Sequence, residues 1–178
     1  MTIQIVFETH ATSEDNERGI ASGWNDSRLS EAGRAQAQAL GERRRNDGIQ
    51  TVFTSDLRRA IETAEIAFGA TPMPLFIDWR LRECDYGDLN DAPREVVHRS
   101  RREYLEFPYP GGESWRQAVA RVRRFLDDLP IRWEGTRVLV IGHIATRWAL
   151  EHALNGVPLE ALAEETFVWQ EGWEYRLG

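Results

Sequence analysis

Two rhythms of apolar residues run along the chain. Dense, short runs form the first: Ile3, Ile5, Val6 and Phe7, then Thr51-Val-Phe-Thr54, Leu75-Phe-Ile77 and Arg137-Val-Leu-Val-Ile141. Rich in β-branched residues and only a few positions long, they predict strands, the first buried on both faces as in a parallel sheet. Between them the spacing changes to three and four. Ala32, Ala35, Ala39 and Leu40 mark a helix from about Glu31 to Arg45, capped by Ser30 and ended by Gly48. Leu57, Ala60, Ile61, Ala64 and Phe68 mark a second helix, with Ser55 as its candidate cap. Ala118, Val119, Val122, Phe125, Leu126 and Leu129 mark a strongly amphipathic third. Glu95 to Tyr104 is predicted helical, Pro108-Tyr-Pro-Gly-Gly112 breaks the chain, and Gly142-His143 opens a helix behind the Arg137–Ile141 strand. Phe167 to Leu177, aromatic at 167, 169, 173 and 175, predicts a final strand pair or an edge strand. Strands alternating with helices, without repeats or low-complexity linkers, give an α/β sandwich around a mostly parallel sheet. A single domain over residues 1–178 is the expectation.

Two stretches follow neither rhythm. Gly19 to Asp26 is rich in turn formers and carries Trp24, which reads as an ordered loop; the tryptophans read mostly as core or rim residues, with lining of a substrate mouth as the alternative for Trp24. Trp79 to Pro93 has no periodicity yet contains Arg80, Arg82, Glu83 and Asp85. Long irregular segments in compact domains tend to be functional.

Charge narrows the partners. A net charge of −7 argues against nucleic acid. No lysine occurs, which removes the Walker-type phosphate lysine, the kinase lysine and any Schiff-base chemistry. Phosphate or carboxylate would have to be held by guanidinium forks. The clusters Arg43-Arg44-Arg45 and Arg99 with Arg101-Arg102 read as solvated helix faces. Cys84, the lone cysteine, excludes an intramolecular disulfide framework and reads as a small core residue. With neither a secretory-type leader nor an apolar run of ~20 residues, the expected setting is cytoplasmic, away from membrane. His98 and His152 fall on predicted helices without carboxylates at ligand spacing, so no metal is expected and they read as surface or packing histidines.

Three features converge at the carboxyl ends of predicted strands, where open α/β sheets place ligands. His10 follows the first strand. Arg59 lies in the first turn of the helix after Thr51–Thr54. His143 follows Val138–Ile141 at a helix N-terminus, where free backbone N–H groups favour anions. Two imidazoles, an arginine and a helix N-terminus make a candidate phosphate or oxyanion pocket.

The order His10, Asn16, Ser22-Gly23, Ser55-Asp-Leu-Arg-Arg-Ala60, Glu62-Thr-Ala64, Arg82-Glu83, Gly87, Gly112-Glu-Ser114 and Gly142-His143 resembles the histidine phosphatase (phosphoglycerate mutase-like) superfamily. The resemblance implies a three-layer α/β/α sandwich and a phosphatase or mutase that needs neither metal nor cofactor. It implies His10 as a nucleophile forming a phosphohistidine, His143 as a hydrogen-bond donor to phosphoryl oxygens, Arg59 as the phosphate clamp and Glu83 as the acid. Asn16, Ser22, Gly23 and Arg82 would serve substrate binding. The substrate would be a small phosphorylated molecule or a phosphoprotein, with oligomeric state open.

One departure stands out. Where the family reads Arg-His-Gly, this chain has Thr9-His10-Ala11. Losing a preorganised oxyanion donor costs on the order of 3–4 kcal/mol. Thr9 offers a neutral hydroxyl, and Arg28, Arg82 and Arg147 are the candidates to supply the cation from elsewhere. The alternatives to a phosphatase are a non-catalytic phospholigand-binding protein on the same fold and a mutase. The short Glu83–Gly112 segment speaks against the mutase, because it leaves little to exclude water. A cysteine phosphatase is excluded, since Asn90 stands six positions after Cys84 where an arginine is needed.

Overall fold

The protein is described by a computed structural model over residues 2–178. In chain order the elements are β1 (Ile3–Thr9), α1 (Glu14–Glu17), β2 (Ile20–Ala21), α2 (Glu31–Arg44), β3 (Thr51–Thr54), α3 (Arg58–Phe68) and β4 (Leu75–Ile77). Two 3-10 turns, Trp79–Leu81 and Gly87–Leu89, lead to β5 (Ala92–Pro93) and α4 (Arg94–Ser100). Then come α5 (Trp115–Asp128), α6 (Pro130–Trp133), β6 (Arg137–Gly142), α7 (Ile144–Asn155), α8 (Leu159–Glu164) and β7 (Trp173–Leu177).

The main sheet has the order β4-β3-β6-β1-β7, parallel throughout except for β7, which runs antiparallel to β1 at the edge. Side chains alternate across it with the period of two that a strand imposes. Ile5, Phe7, Phe53, Val138 and Val140 join Trp115, Val122 and Phe125 of α5 and Trp148 of α7 on one face. Val6, Val52, Leu139 and Ile141 join Leu40 of α2 and Ala64 and Phe68 of α3 on the other. This mixed α/β architecture, a mostly parallel sheet with helices on both faces, is the predicted one. Among the described residues, no helix is long and apolar enough to cross a membrane.

Several local expectations change. Ser30 caps α2 by accepting from Gly33 N, as read. Ser55 caps nothing: Leu57 is the residue before α3, and the Ser55 hydroxyl turns instead to His143. The predicted helix from Glu95 shifts to Arg94–Ser100. Of the aromatic C-terminal stretch only Trp173–Leu177 pairs, so the final element is a single edge strand. The Arg43–Arg44 cluster is not a solvated face either. Both guanidiniums reach Glu8, a β1 side chain 2% exposed, at 3.1 and 2.8 Å.

Candidate active site

Sheet register places the two imidazoles side by side. Thr9 is the partner of Gly142 across the parallel β1–β6 ladder, and His10 N donates to Gly142 O at 3.0 Å. The next residue of each strand is therefore a histidine leaving the same edge, and their ring centroids lie 5.0 Å apart. Thr54 pairs with Ile141 on the far side of β6, which sets Ser55 Oγ 2.7 Å from His143 Nε2.

A hydrogen bond defines the His10 tautomer. His10 Nδ1 lies 2.7 Å from Ala11 O, and a carbonyl can only accept. The proton is thus on Nδ1, and Nε2 carries the free lone pair. Burial and the Arg59 charge lower the His10 pKa to about 3, so the ring is neutral. Ser55 Oγ accepts from Leu57 N at 3.4 Å and shares a hydrogen bond of 2.7 Å with His143 Nε2. His143 Nδ1 is buried and finds no hydrogen-bond partner among the described residues. Burial, with Arg59 and His10 adding to it, pushes the His143 pKa well down as well.

Arg59, 3% exposed, enters from the first turn of α3. Its guanidinium donates to Gly23 O at 2.8 Å and Asn25 O at 3.4 Å. Gly23 has φ +53°, and a Cβ there would lie 1.8 Å from Asn90 Oδ1, so only glycine lets this carbonyl approach the arginine. Ser22 Oγ donates to Asp15 at 2.7 Å, and Asn16 Oδ1 accepts from Ser13 N at 3.0 Å in a capping box that shapes the loop after His10.

Glu83 occupies the helix N-terminus that the sequence suggested for a bound anion. Its Oε1 accepts from Cys84 N (2.9 Å) and Ala145 N (3.0 Å), and Oε2 from Ile144 N (3.2 Å). His143 N is taken by Thr146 Oγ1 at 3.2 Å. The first-turn amides of α7 therefore hold the protein's own carboxylate, and a phosphate has to be met by side chains. The backbone of Glu83 is fixed in turn: its carbonyl accepts from Trp24 Nε1 at 2.7 Å and from Arg121 at 2.9 Å. Arg121, 2% exposed, also donates to Arg80 O and Arg82 O and forks onto the Glu113 carboxylate at 2.8 and 2.7 Å. It fastens the aperiodic stretch from the α5 side. Cys84 is fully buried beside it, and burial pushes its thiol pKa well up.

His10, His143, Arg59, Glu83, Thr9, Asn16, Ser22 and Gly23 all line one cavity of about 740 Å³. The structure does not bring Arg82 to it. That guanidinium forks onto Asp56 at 2.6 Å and lies 4.5 Å over the Trp24 ring, so both residues brace the loop instead of lining the mouth. Neither of the other candidate replacements for the missing arginine lines the cavity: Arg28 pairs with Glu14 at 2.7 Å, and Arg147 forks onto Glu165 at 2.7 and 2.9 Å. The cations that do line it besides Arg59 are Arg94, Arg99 and Arg101.

Arg101 was not legible as a cavity residue. It is 8% exposed, with its guanidinium 5.4 and 5.5 Å over the rings of Trp115 and Trp148. The available signal was position: Arg101 stands four residues from both Val97 and Leu105, on the apolar stripe, and Arg121 stands three from Ala118 and four from Phe125 in the same way. A charge on a buried stripe demands a buried partner or an aromatic one. Tyr86, His98, Phe167 and Trp169 also line the cavity and carried no such signal; His98 is a wall residue, not merely a packing one. Among the described residues no group of histidine, cysteine or acidic side chains could hold a metal ion.

The profile described as the histidine phosphatase superfamily (branch 1) matches residues 5–167. A 2,3-bisphosphoglycerate-dependent phosphoglycerate mutase of Methylobacterium sp. (strain 4-46) is 38% identical over 174 residues, covering 89% of this chain and 83% of the relative. One of Mesorhizobium japonicum is 38% identical over 172 residues, covering 88% and 83%. Among solved structures, Bacillus stearothermophilus YhfR superposes with a TM-score of 0.84 at 26% identity, covering 95% of this chain and 88% of that one. Mycobacterial glucosyl-3-phosphoglycerate phosphatase in complex with VO3 superposes at 0.78 with 28% identity, covering 91% and 85%. With this match running from the first strand to the cavity rim, and both histidines leaving one sheet edge, the chain belongs to the histidine phosphatase superfamily.

Proposed function

We propose that the protein is a phosphomonoester hydrolase that works through a phosphohistidine on His10. The observation that carries this reading is the Nδ1–Ala11 O hydrogen bond, which leaves a neutral ring with its Nε2 lone pair free beside His143 and Arg59. Nε2 attacks phosphorus, and the ester oxygen departs with a proton from Glu83. Oε2 of Glu83, which accepts only the longer bond from Ile144 N, is the oxygen better placed to carry that proton. As Nε2 bonds to phosphorus the ring becomes cationic, and the Ala11 carbonyl stabilises the Nδ1–H. The Arg59 guanidinium donates to the equatorial oxygens as charge develops, with the His143 ring beside the phosphoryl group. Water then attacks the phosphohistidine, returns a proton to Glu83 and frees phosphate.

The mutase relatives argue for transfer to a second hydroxyl instead of water. The exposed rim favours water: Trp169, a wall residue, is 58% exposed. A brief reaction with labelled aryl phosphate, quenched without acid, should leave acid-labile label on the protein and none on His10→Ala, with turnover reduced at least ~10⁴-fold. Unlabelled protein and intact turnover in His10→Ala would overturn the covalent route. Phosphate binding without turnover in the unaltered chain would establish the non-catalytic alternative.

A further inference from the structure

The chemistry described above needs only the floor of the cavity, whereas the space extends to a rim built from α4 and the loop between α8 and β7. That loop is fastened at both ends. At its start Glu165 is forked by Arg147; at its end Arg44 donates to Glu171 O at 3.0 Å, and Gly172 turns the chain with φ +82° against the same guanidinium. Phe167 is anchored on Trp173, with ring centroids 5.9 Å apart. Trp169, held between these anchors, has no comparable partner. Among the described residues its indole contacts no other ring and its Nε1 meets no hydrogen-bond acceptor. Yet it faces the same cavity as His10. A large ring left half in water at the mouth of a site is an unused contact surface, and indoles favour offset stacking on flat rings.

Resting on the reading of the floor as a phosphoryl site, we propose that Trp169 is a specificity-determining residue that stacks on an aromatic leaving group. The preferred substrate class is then phosphomonoesters of planar, ring-bearing alcohols or phenols. A cavity of about 740 Å³ is ample for a phosphate with such a group attached. The phosphate stays with His10, His143 and Arg59, and the ring occupies the rim against Trp169.

Non-hydrolysable phosphonates test this without relying on turnover. Binding of 1-naphthylphosphonate and methylphosphonate to the unaltered protein, Trp169→Ala and Trp169→Phe is measured by titration calorimetry. The naphthyl compound should bind the unaltered protein roughly tenfold more tightly than the methyl one. Trp169→Ala should reduce that preference to less than threefold with methylphosphonate affinity unchanged, and Trp169→Phe should keep most of it. Equal affinities in the unaltered protein, or a preference untouched by Trp169→Ala, would overturn the proposal and leave the phosphoryl site standing. Failure of both phosphonates to bind would overturn the phosphoryl site and this proposal with it.

Discussion

The floor and the rim of the cavity are built on opposite principles. On the floor nearly every polar group already has a protein partner: His10 on Ala11, His143 on Ser55, Arg59 on two loop carbonyls, and Glu83 on three backbone amides. At the rim, Arg94, Glu95, Arg99 and Trp169 are exposed. The difference separates two tasks. Groups fixed before the reaction need no reorganisation as charge develops, whereas exposed side chains can adapt to the part of a substrate that does not react. Such a site tolerates changes at the rim and is intolerant of changes below.

The largest expected effect comes from breaking the support beneath the floor. Arg121→Met leaves Glu113 and three carbonyls of residues 80–83 without their shared donor. Removing one partner of a buried ion pair costs about 3–5 kcal/mol. A urea titration should show that loss, and activity should fall further than stability alone explains because Glu83 is released. A loss under ~1 kcal/mol would mean that the aperiodic stretch holds its shape without the arginine.

A smaller effect, of opposite sign, sharpens the floor. By the sequence resemblance Thr9 takes the place of a phosphate-clamping arginine, and Arg28, Arg82 and Arg147 are all paired elsewhere. Thr9→Arg should therefore tighten inorganic phosphate binding and raise kcat/KM by up to about 10²–10³-fold, as a regained oxyanion donor does. Weaker binding would show that Arg94, Arg99 or Arg101 already supplies that charge.

The last effect is in the pH dependence of stability. His10 titrates near 3 when folded against an ordinary 6.5. Between those values the unfolded chain binds more protons, so stability rises with pH across the window and falls as acid is added. His143 is shifted in the same direction. His10→Gln should flatten the slope between pH 6.5 and 3 without removing it. Unchanged slopes would show that His10 is not held neutral by the fold.

The floor was more legible in the sequence than the rim. His10, Arg59 and His143 each follow a strand with a clear β-branched pattern, and parallel ladders carry strand ends to a common edge. The rim is assembled by packing that no local pattern encodes. Ser55 looked like a cap because serine before a helix usually is one, but the ladder beside β6 put a histidine nitrogen closer than any amide. The charge cluster Arg43–Arg44 looked solvated because Glu8, its buried partner, lies 35 residues away. Arg82 looked like a substrate residue because it precedes Glu83, whereas Asp56 and Trp24 hold it from two other loops.

Cys84 gives the molecule an internal clock. It is the chain's only thiol, lies out of reach of solvent, and offers its own amide to Glu83. A disulfide reagent reacts with thiolate that solvent can reach, so modification has to wait for the strip around residue 84 to swing open. The same opening frees the Glu83 carboxylate. The modification rate of the unlabelled protein thus counts how often this corner of the site comes apart, on the scale of local rather than global unfolding.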